Sequence, residues 1–237
     1  MQVQENPTSM PGQWDCGDCR ARNTGLCQVL GATHLAELQQ RVQRRRFLPP
    51  YVIFDEGTEG RYLYIIRHGL VKLTCSSGSE IGRMARPQRT GDVAGMEVLG
   101  EWPYRYTAHA LMPVEACRIP VDFLRDWADR TEGAWRGLFH LSQRIARSAD
   151  EWAMAMCQGS ARVRVARLLL YLAQTDPKYN FELFPRKDLG AMLGVSMETA
   201  SRIIAEFKRR RLIRKGSQGV LQADMRRLES IASLHEE

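Results

Sequence analysis

The chain has 237 residues, 44% of them hydrophobic and 26% charged, which is enough for two domains with their own cores and excludes a wholly disordered protein. No uncharged apolar run approaches the ~18 residues of a membrane span, and the start lacks the basic and apolar regions of a signal peptide, so a soluble, cytoplasmic protein is expected. The net charge of +7 is uneven: residues 159–237 hold 15 Lys/Arg against 9 Asp/Glu, which makes nucleic acid the first partner to consider and a solvated basic surface the alternative.

Residues 1–13 combine polar amides and prolines with no apolar period, and a flexible start is expected. Next comes Cys16-x2-Cys19-x7-Cys27, three thiols on a polar segment that is expected to be a flexible loop, within an N-terminal region spanning 1–30. In a reducing compartment, clustered cysteines point to metal or redox chemistry rather than a disulfide framework. A closed site needs a fourth ligand. Four thiolates suit a [4Fe-4S] cluster and equally suit structural zinc, and spacing alone leaves both open.

Residues 31–130 are expected to form a β domain. Short β-branched and aromatic runs (Tyr51–Phe54, Tyr62–Ile66, Leu70–Thr74, Thr107–Leu111, Val114–Ile119) alternate with Gly57, Gly69, Gly78, Gly91, Gly95 and Gly100. With no helical crossovers between them, such strands predict a sandwich or jelly-roll barrel rather than a parallel sheet. Cys75, near a strand end, is expected to be a buried thiol outside any ligand set. His34, His68, His109 and His140 are scattered, with no paired ligand spacing. Pro120 closes the region and a short helix is expected from Val121 to Asp129.

Residues 131–158 predict a long helix. Its apolar positions Leu138, Leu141, Ile145, Ala149, Trp152 and Met156 recur at threes and fours, which fits a dimer seam as well as an ordinary core face. The seam is preferred, because a helix joining two domains has few surfaces of its own chain to cover. Asp150, beside that stripe, would then oppose its symmetry mate across a two-fold axis. Cys157 ends the helix as a packing residue.

The last region, 159–237, opens with an apolar helix from Ala161 to Gln174 (Val163, Val165, Leu168, Leu169, Leu172) and a linker from Thr175 to Leu183. Arg186 to Leu193 then predicts a first helix, Gly194-Val195-Ser196 a tight turn, and Met197 to Arg210 a second helix capped by Ser196. Leu189, Val195, Ala200, Ile203, Ile204 and Phe207 have the spacing of the small core that joins such helices. Glu198, Ser201 and Arg202 stand together on the opposite face, where a recognition helix carries its base-reading side chains. Arg186, Lys208 and Arg209 are candidate DNA contacts at the helix ends, and Gly216-Ser217-Gln218-Gly219 is the expected turn of a β-hairpin wing.

The run Val195-Ser196-Met197-Glu198-Thr199-Ala200-Ser201-Arg202 resembles the recognition helix of the CRP/FNR family of bacterial transcription regulators, and the similarity extends from Cys16 to about Leu234. The Glu-x-x-Ser-Arg pattern is similar to the FNR branch, the oxygen-responsive regulators of anaerobic metabolism. The resemblance implies an α+β fold: a cyclic-nucleotide-binding-like jelly-roll barrel, a long dimerisation helix and a winged helix-turn-helix. It implies Cys117 as the fourth ligand beside Cys16, Cys19 and Cys27, at the end of a barrel strand, and a [4Fe-4S] cluster as the cofactor. The implied partners are a second copy of the chain, RNA polymerase and TTGAT-N4-ATCAA-like palindromic DNA, with no catalytic residue.

Three other readings stay open. A cyclic-nucleotide regulator of the same fold would use a phosphate-binding cassette. Here its first half is interrupted as Gly95-Met96-Glu97, and Tyr104-Arg105 stands where an arginine-serine pair is expected. A zinc-stabilised constitutive DNA-binding protein would use the same thiols. An iron-sulfur redox enzyme would leave the Glu198/Ser201/Arg202 face unexplained, and no Gly-x-Gly-x-x-Gly fingerprint, P-loop or nucleophile elbow supports it.

Overall fold

The computed structural model describes residues 16, 17, 19–77, 80–216 and 220–233. The flexibility expected for residues 1–13 and the wing-turn residues 217–219 lie outside the described residues. The chain divides into two compact units, residues 1–148 and 149–237.

The first unit opens with helix α1 (Gly25–Arg41) and continues through strands β1 (Gln43–Phe47), β2 (Val52–Phe54), β3 (Tyr62–His68), β4 (Val71–Ser77), β5 (Glu80–Gln88) and β6 (Val93–Ala94). A 3-10 turn at Met96–Gly100, β7 (Thr107–Ala110), β8 (Val114–Pro120) and helix α2 (Val121–Arg130) follow. The strands make two four-stranded sheets, β1-β8-β3-β6 and β2-β7-β4-β5. The pairings are antiparallel. The architecture is jelly-roll-like, as expected, with the strands in two separate sheets.

Residues opposed across an antiparallel ladder share a face of the sheet. Tyr64 of β3 stacks on Phe54 of β2 at 5.6 Å between ring centroids, so the face of β3 that carries Tyr64 and Ile66 looks toward the second sheet. Ile65 must then point the other way, together with Cys117 of β8, its ladder partner. Helix α1 packs on that outer face, and its Leu26, Leu30, Leu35 and Leu38 join one core with Leu63, Ile65 and Ile119. The helix breaks at Gly31, whose φ of 67° lies in the left-handed region that glycine enters without strain. The expected loop around Cys27 is therefore corrected to a buried helical turn.

Helix α3 (Ala134–Cys157) begins in the first unit. Its Leu138 and Leu141 are buried in that unit's core and Ile145 packs against it. The first half of the helix thus has intramolecular surface to cover, contrary to the premise on which the seam was assigned.

In the second unit, α4 (Ala161–Ala173) is central: Val163, Val165, Leu168, Leu169 and Leu172 are all buried, and Ser160 caps its start by accepting a bond from the Val163 amide at 3.4 Å. A short strand β9 (Asn180–Phe181) occupies the expected linker. It pairs with β11 (Leu221–Ala223), which pairs with β10 (Ile213–Lys215) to make the wing sheet. Helices α5 (Arg186–Leu193), α6 (Met197–Arg209) and α7 (Met225–Ala232) complete the unit. Among the described residues no helix is long and apolar enough to cross a membrane.

Candidate metal centre and nucleic-acid interface

Two turns shape the segment before α1: the Cys19 amide donates to the Cys16 carbonyl at 3.3 Å and the Arg22 amide to the Cys19 carbonyl at 2.9 Å. The chain then enters α1, and Cys27 is carried inward on its first turn. Cys117 comes from the middle of β8, opposite Ile65 on one side and Arg44 of β1 on the other, rather than from a strand end as expected. Cys16, Cys19, Cys27 and Cys117 line one cavity, with apolar walls from Ala21, Leu35, Leu38, Val42 and Ile65. Cys27 and Cys117 are buried, while Cys16 and Cys19 are half-buried.

Burial pushes the Cys27 thiol up to about 12, and Cys117, Cys19 and Cys16 add to the shift. Cys117 is likewise pushed up to about 12 by burial, against the opposing pull of Arg67. Burial thus keeps Cys27 and Cys117 protonated in the metal-free fold, and a bound cation would reverse this by stabilising their thiolates. Among the described residues, however, no group of three or more His, Cys, Asp or Glu side chains is placed to hold a metal ion.

Cys75 lies within β4 and Cys157 is exposed at the end of α3, and neither lines this cavity. The four histidines stay apart from it: His34 packs edge-on against Trp127 at 5.6 Å, and His109 lies 3.2 Å from the Thr74 hydroxyl. Arg22, Gln39 and Arg67 also line the cavity, and sequence reasoning named none of them.

Aromatic rings pack beside Gly95-Met96-Glu97: a Cβ at residue 95 would lie 2.8 Å from Tyr104 Cε1. Tyr104 stacks on Phe54 at 4.0 Å and 14°, and its hydroxyl donates to the Tyr62 carbonyl at 2.7 Å. Arg105 is exposed, and its backbone amide donates to Glu97 at 2.9 Å.

In the second unit, α5 and α6 cross closely because residue 190 is glycine: a Cβ there would lie 2.8 Å from the Val195 carbonyl oxygen. Leu189, Ala200, Ile203, Ile204 and Phe207 are buried between the helices, with Val195 half-buried. The Ser196 hydroxyl caps α6 by accepting from the Thr199 amide at 3.1 Å. Glu198 and Arg202 project from the first turns of α6 into solvent, with Ser201 half-buried beside them. The Glu198 carboxyl is held below its ordinary pKa by its own backbone amide and the Ser196 side chain, so it is a charged acceptor. Lys208 and Arg209 are exposed at the far end. Arg186 opens α5 half-buried, and its Nη1 has no hydrogen-bond partner among the described residues.

On α3, Ala149, Trp152 and Met156 are half-buried and Asp150 is exposed. Trp152 packs on Tyr171 of α4 at 5.1 Å. In the first unit, Phe139 of the same helix is 60% exposed.

The sequence matches the family model of a cyclic nucleotide-binding domain over residues 44–131 and that of a Crp-like helix-turn-helix domain over residues 163–231. It is 26% identical over 205 residues to the regulatory protein HlyX of Actinobacillus pleuropneumoniae, covering 84% of this chain and 85% of that one. It is 23% identical over 205 residues to the fumarate and nitrate reduction regulatory protein of Vibrio cholerae, covering 84% and 82%. Among solved structures, FixK2 from Bradyrhizobium japonicum shares the fold with a TM-score of 0.71 at 19% identity, over 82% of this chain and 99% of that one.

Proposed function

The chain belongs to the CRP/FNR family of transcription regulators, which are not enzymes, and on that premise we propose that it is an oxygen- or redox-responsive member acting in the cytoplasm. In this reading Cys16, Cys19, Cys27 and Cys117 hold a [4Fe-4S] cluster, and the homodimer binds TTGAT-N4-ATCAA-like DNA to control anaerobic-type genes together with RNA polymerase. The observation that carries it is the convergence of four cysteines, three from the N-terminal segment and one from β8, on a single cavity.

Four thiolates suit a [4Fe-4S] cluster and structural zinc alike. The cluster is preferred because the sequence resembles the oxygen-responsive FNR branch, and iron and sulfide analysis separates the two. When bound, the cluster would supply one-electron chemistry and sensitivity to oxidants. The chain supplies the thiolates, an apolar wall that excludes water, and the contact of α1 with α3. The interrupted Gly95-Met96-Glu97 and the exposed Arg105, which meets Glu97 through its backbone amide, weigh against the nucleotide-responsive reading.

For DNA, Arg202 has the fork to bind a guanine's O6 and N7, Glu198 can accept from a cytosine N4, and Ser201 can contact a thymine edge. Dimerisation places two such helices one turn of DNA apart. The test is protein purified without air. Iron and sulfide near four of each per chain, a broad visible absorbance that bleaches in air, and DNA binding that weakens on bleaching are expected. Colourless protein that binds the site equally in air and without it would overturn the reading.

A further inference from the structure

The joint between α3 and α4 has little backbone to stiffen it. Helix α3 ends at Cys157, Ser160 caps α4, and Gly159 between them has a φ of 83°, in the left-handed region that glycine enters without strain. Such a joint permits many angles between two helices. What fixes one angle here comes from α4, whose Arg164 and Arg167 stand three residues apart and so lie on one face of that helix. Arg167 donates from Nη1 to the carbonyls of Ala155 at 2.8 Å and Gln158 at 2.7 Å, and from Nε to the carbonyl of Ala232, the last residue of α7, at 3.1 Å. Arg164 donates from Nη1 to the Gly159 carbonyl at 2.8 Å and from Nε to the Leu193 carbonyl at 3.0 Å. Leu193 is the last residue of α5, directly before the turn that leads into α6.

The final carbonyls of a helix lack partners within it and carry the negative end of its dipole. Two half-buried guanidiniums set among the ends of α3, α5 and α7 are therefore held by charge as well as by direction. The planar fork of arginine donates to several acceptors at fixed angles and keeps its charge at any working pH. Trp152 on Tyr171 also joins α3 to α4, but an apolar ring contact tolerates sliding, whereas hydrogen bonds to fixed carbonyls do not.

We infer that Arg164 and Arg167 are positioning residues that set the angle between the last turns of α3 and the helix-turn-helix, and with it the half-site spacing that the protein accepts. This rests on the reading above of a homodimer on palindromic DNA. In a two-fold dimer joined through α3, the distance and twist between the two α6 helices follow from this angle in each protomer. One base pair more or less between half-sites shifts them by roughly 3.4 Å along the DNA axis and turns them by about 35°. A stiff joint rejects that change and a loose one accepts it.

The test reads spacing as well as affinity. DNA of random sequence selected by the wild-type protein gives its preferred palindrome. Fluorescence anisotropy at one salt concentration then measures Kd for that site, for the same site with its spacer one base pair shorter or longer, and for an isolated half-site. Arg226→Met, which removes the same charge from an exposed place on α7, is the reference and should keep the wild-type preference. In Arg164→Met and Arg167→Met the preference for the wild-type spacing over the altered ones is expected to shrink about fivefold or more, with half-site binding equal to that of the reference. Arg167→Lys, which keeps the charge but not the fork, falls between Arg167→Met and wild type. An unaltered spacing preference in both methionine variants, or a loss equal on palindrome and half-site, overturns the inference. If wild type selects only single half-sites, the palindromic reading fails and takes the spacing claim with it, whereas a spaced palindrome with unaltered variants removes only the role of the two arginines. Melting curves establish that the variants fold, and where a methionine variant does not, Arg164→Lys and Arg167→Lys decide.

Discussion

Arg144 of α3 donates a hydrogen bond of 3.3 Å to the side-chain oxygen of Gln28, the residue that follows Cys27. Two turns earlier on α3, Gly137 leaves room for Val29, since a Cβ at 137 would sit 2.8 Å from its Cγ1. The turn of helix that carries Cys27 therefore bears on α3 at two points, with no residue intervening. How Cys27 is held can reach α3 directly.

That contact makes the coupling testable. Arg144→Ala removes the hydrogen bond, and Gly137→Val forces α1 and α3 apart. In both variants the difference in dimerisation constant between cluster-bound and metal-free protein should shrink, by about fivefold or more, which is the low end of ordinary allosteric coupling. Sedimentation of the two forms measures it, and a wild-type difference in both variants would show that the signal takes another route.

The ligand set is tested by serine. Replacing Cys16, Cys19, Cys27 or Cys117 singly should abolish retention of iron and sulfide, because a hydroxyl is a poor thiolate substitute. Cys75→Ser and Cys157→Ser should retain both, since neither residue lines the cavity. Full iron and sulfide content in Cys117→Ser would mean that another group closes the site.

The raised thiols set a pH dependence. Cys27 and Cys117 go from an ordinary value of 9.0 up to about 12 in the metal-free fold, so the folded state keeps protons that the unfolded chain gives up. The stability gained from burying neutral thiols is fully present below pH 9.0 and is lost as pH rises toward about 12. The melting temperature of metal-free protein should therefore fall from roughly pH 8.5 to 10.5, and less steeply in Cys27→Ser/Cys117→Ser. Tyr64 and Tyr104, also raised by burial, leave a residual slope of the same sign. Identical slopes in the two proteins would show that the thiols are not what titrates.

Helix α3 separates two kinds of apolar residue. Leu138 and Leu141 serve their own chain, so Leu138→Ala should destabilise the fold by ~2–5 kcal/mol in chemical denaturation. Phe139 and Asp150 are exposed and serve no buried core, so each is open to test as a dimer contact. Asp150→Ala should strengthen the metal-free dimer by removing facing carboxylates, and Phe139→Ala should weaken it. An unchanged sedimentation profile for both would place the seam elsewhere.

For the recognition helix, Arg202→Ala should lower affinity for a TTGAT half-site about ten- to a hundredfold and flatten preference at its guanine, since a good bidentate contact is worth ~1–3 kcal/mol. Neutralising Lys208 or Arg209 should instead weaken binding to all sequences alike and reduce its salt dependence. Competition gel shifts with half-site variants separate the two. A uniform loss over every variant for Arg202→Ala would make it a backbone contact.

The second unit was legible in the sequence because its signals are local: Ser196 caps α6, and Gly194, with a φ of 63°, ends α5 at the position such turns require. Strands β2, β3, β4, β7 and β8 were legible as β-branched and aromatic runs, whereas the arginine-rich β1, the charged β5 and the two-residue β6 carry no such signal. Helix α1 was not legible either, because the break at Gly31 shifts the phase between Leu26 and Leu30 on one side and Leu35 and Leu38 on the other, so no single helical period spans them. Arg67 has no signature of its own. Only the pairing of Ile65 with Cys117 reveals which strand face it shares. The seam was misread at its start because a stripe of leucines looks alike whether it meets a partner or its own sheet, and the exposed Phe139 lay one residue off the chosen stripe.

The stacked rings of Phe54 and Tyr104 have a further consequence. Between the sheets the rings take up the space where they stack, while on the other surface of the same sheet β3 and β8 turn an arginine and a cysteine toward α1. One sheet thus carries two unlike surfaces, an aromatic face inward and a thiol-bearing face outward, so that a change on one leaves the side chains of the other in place.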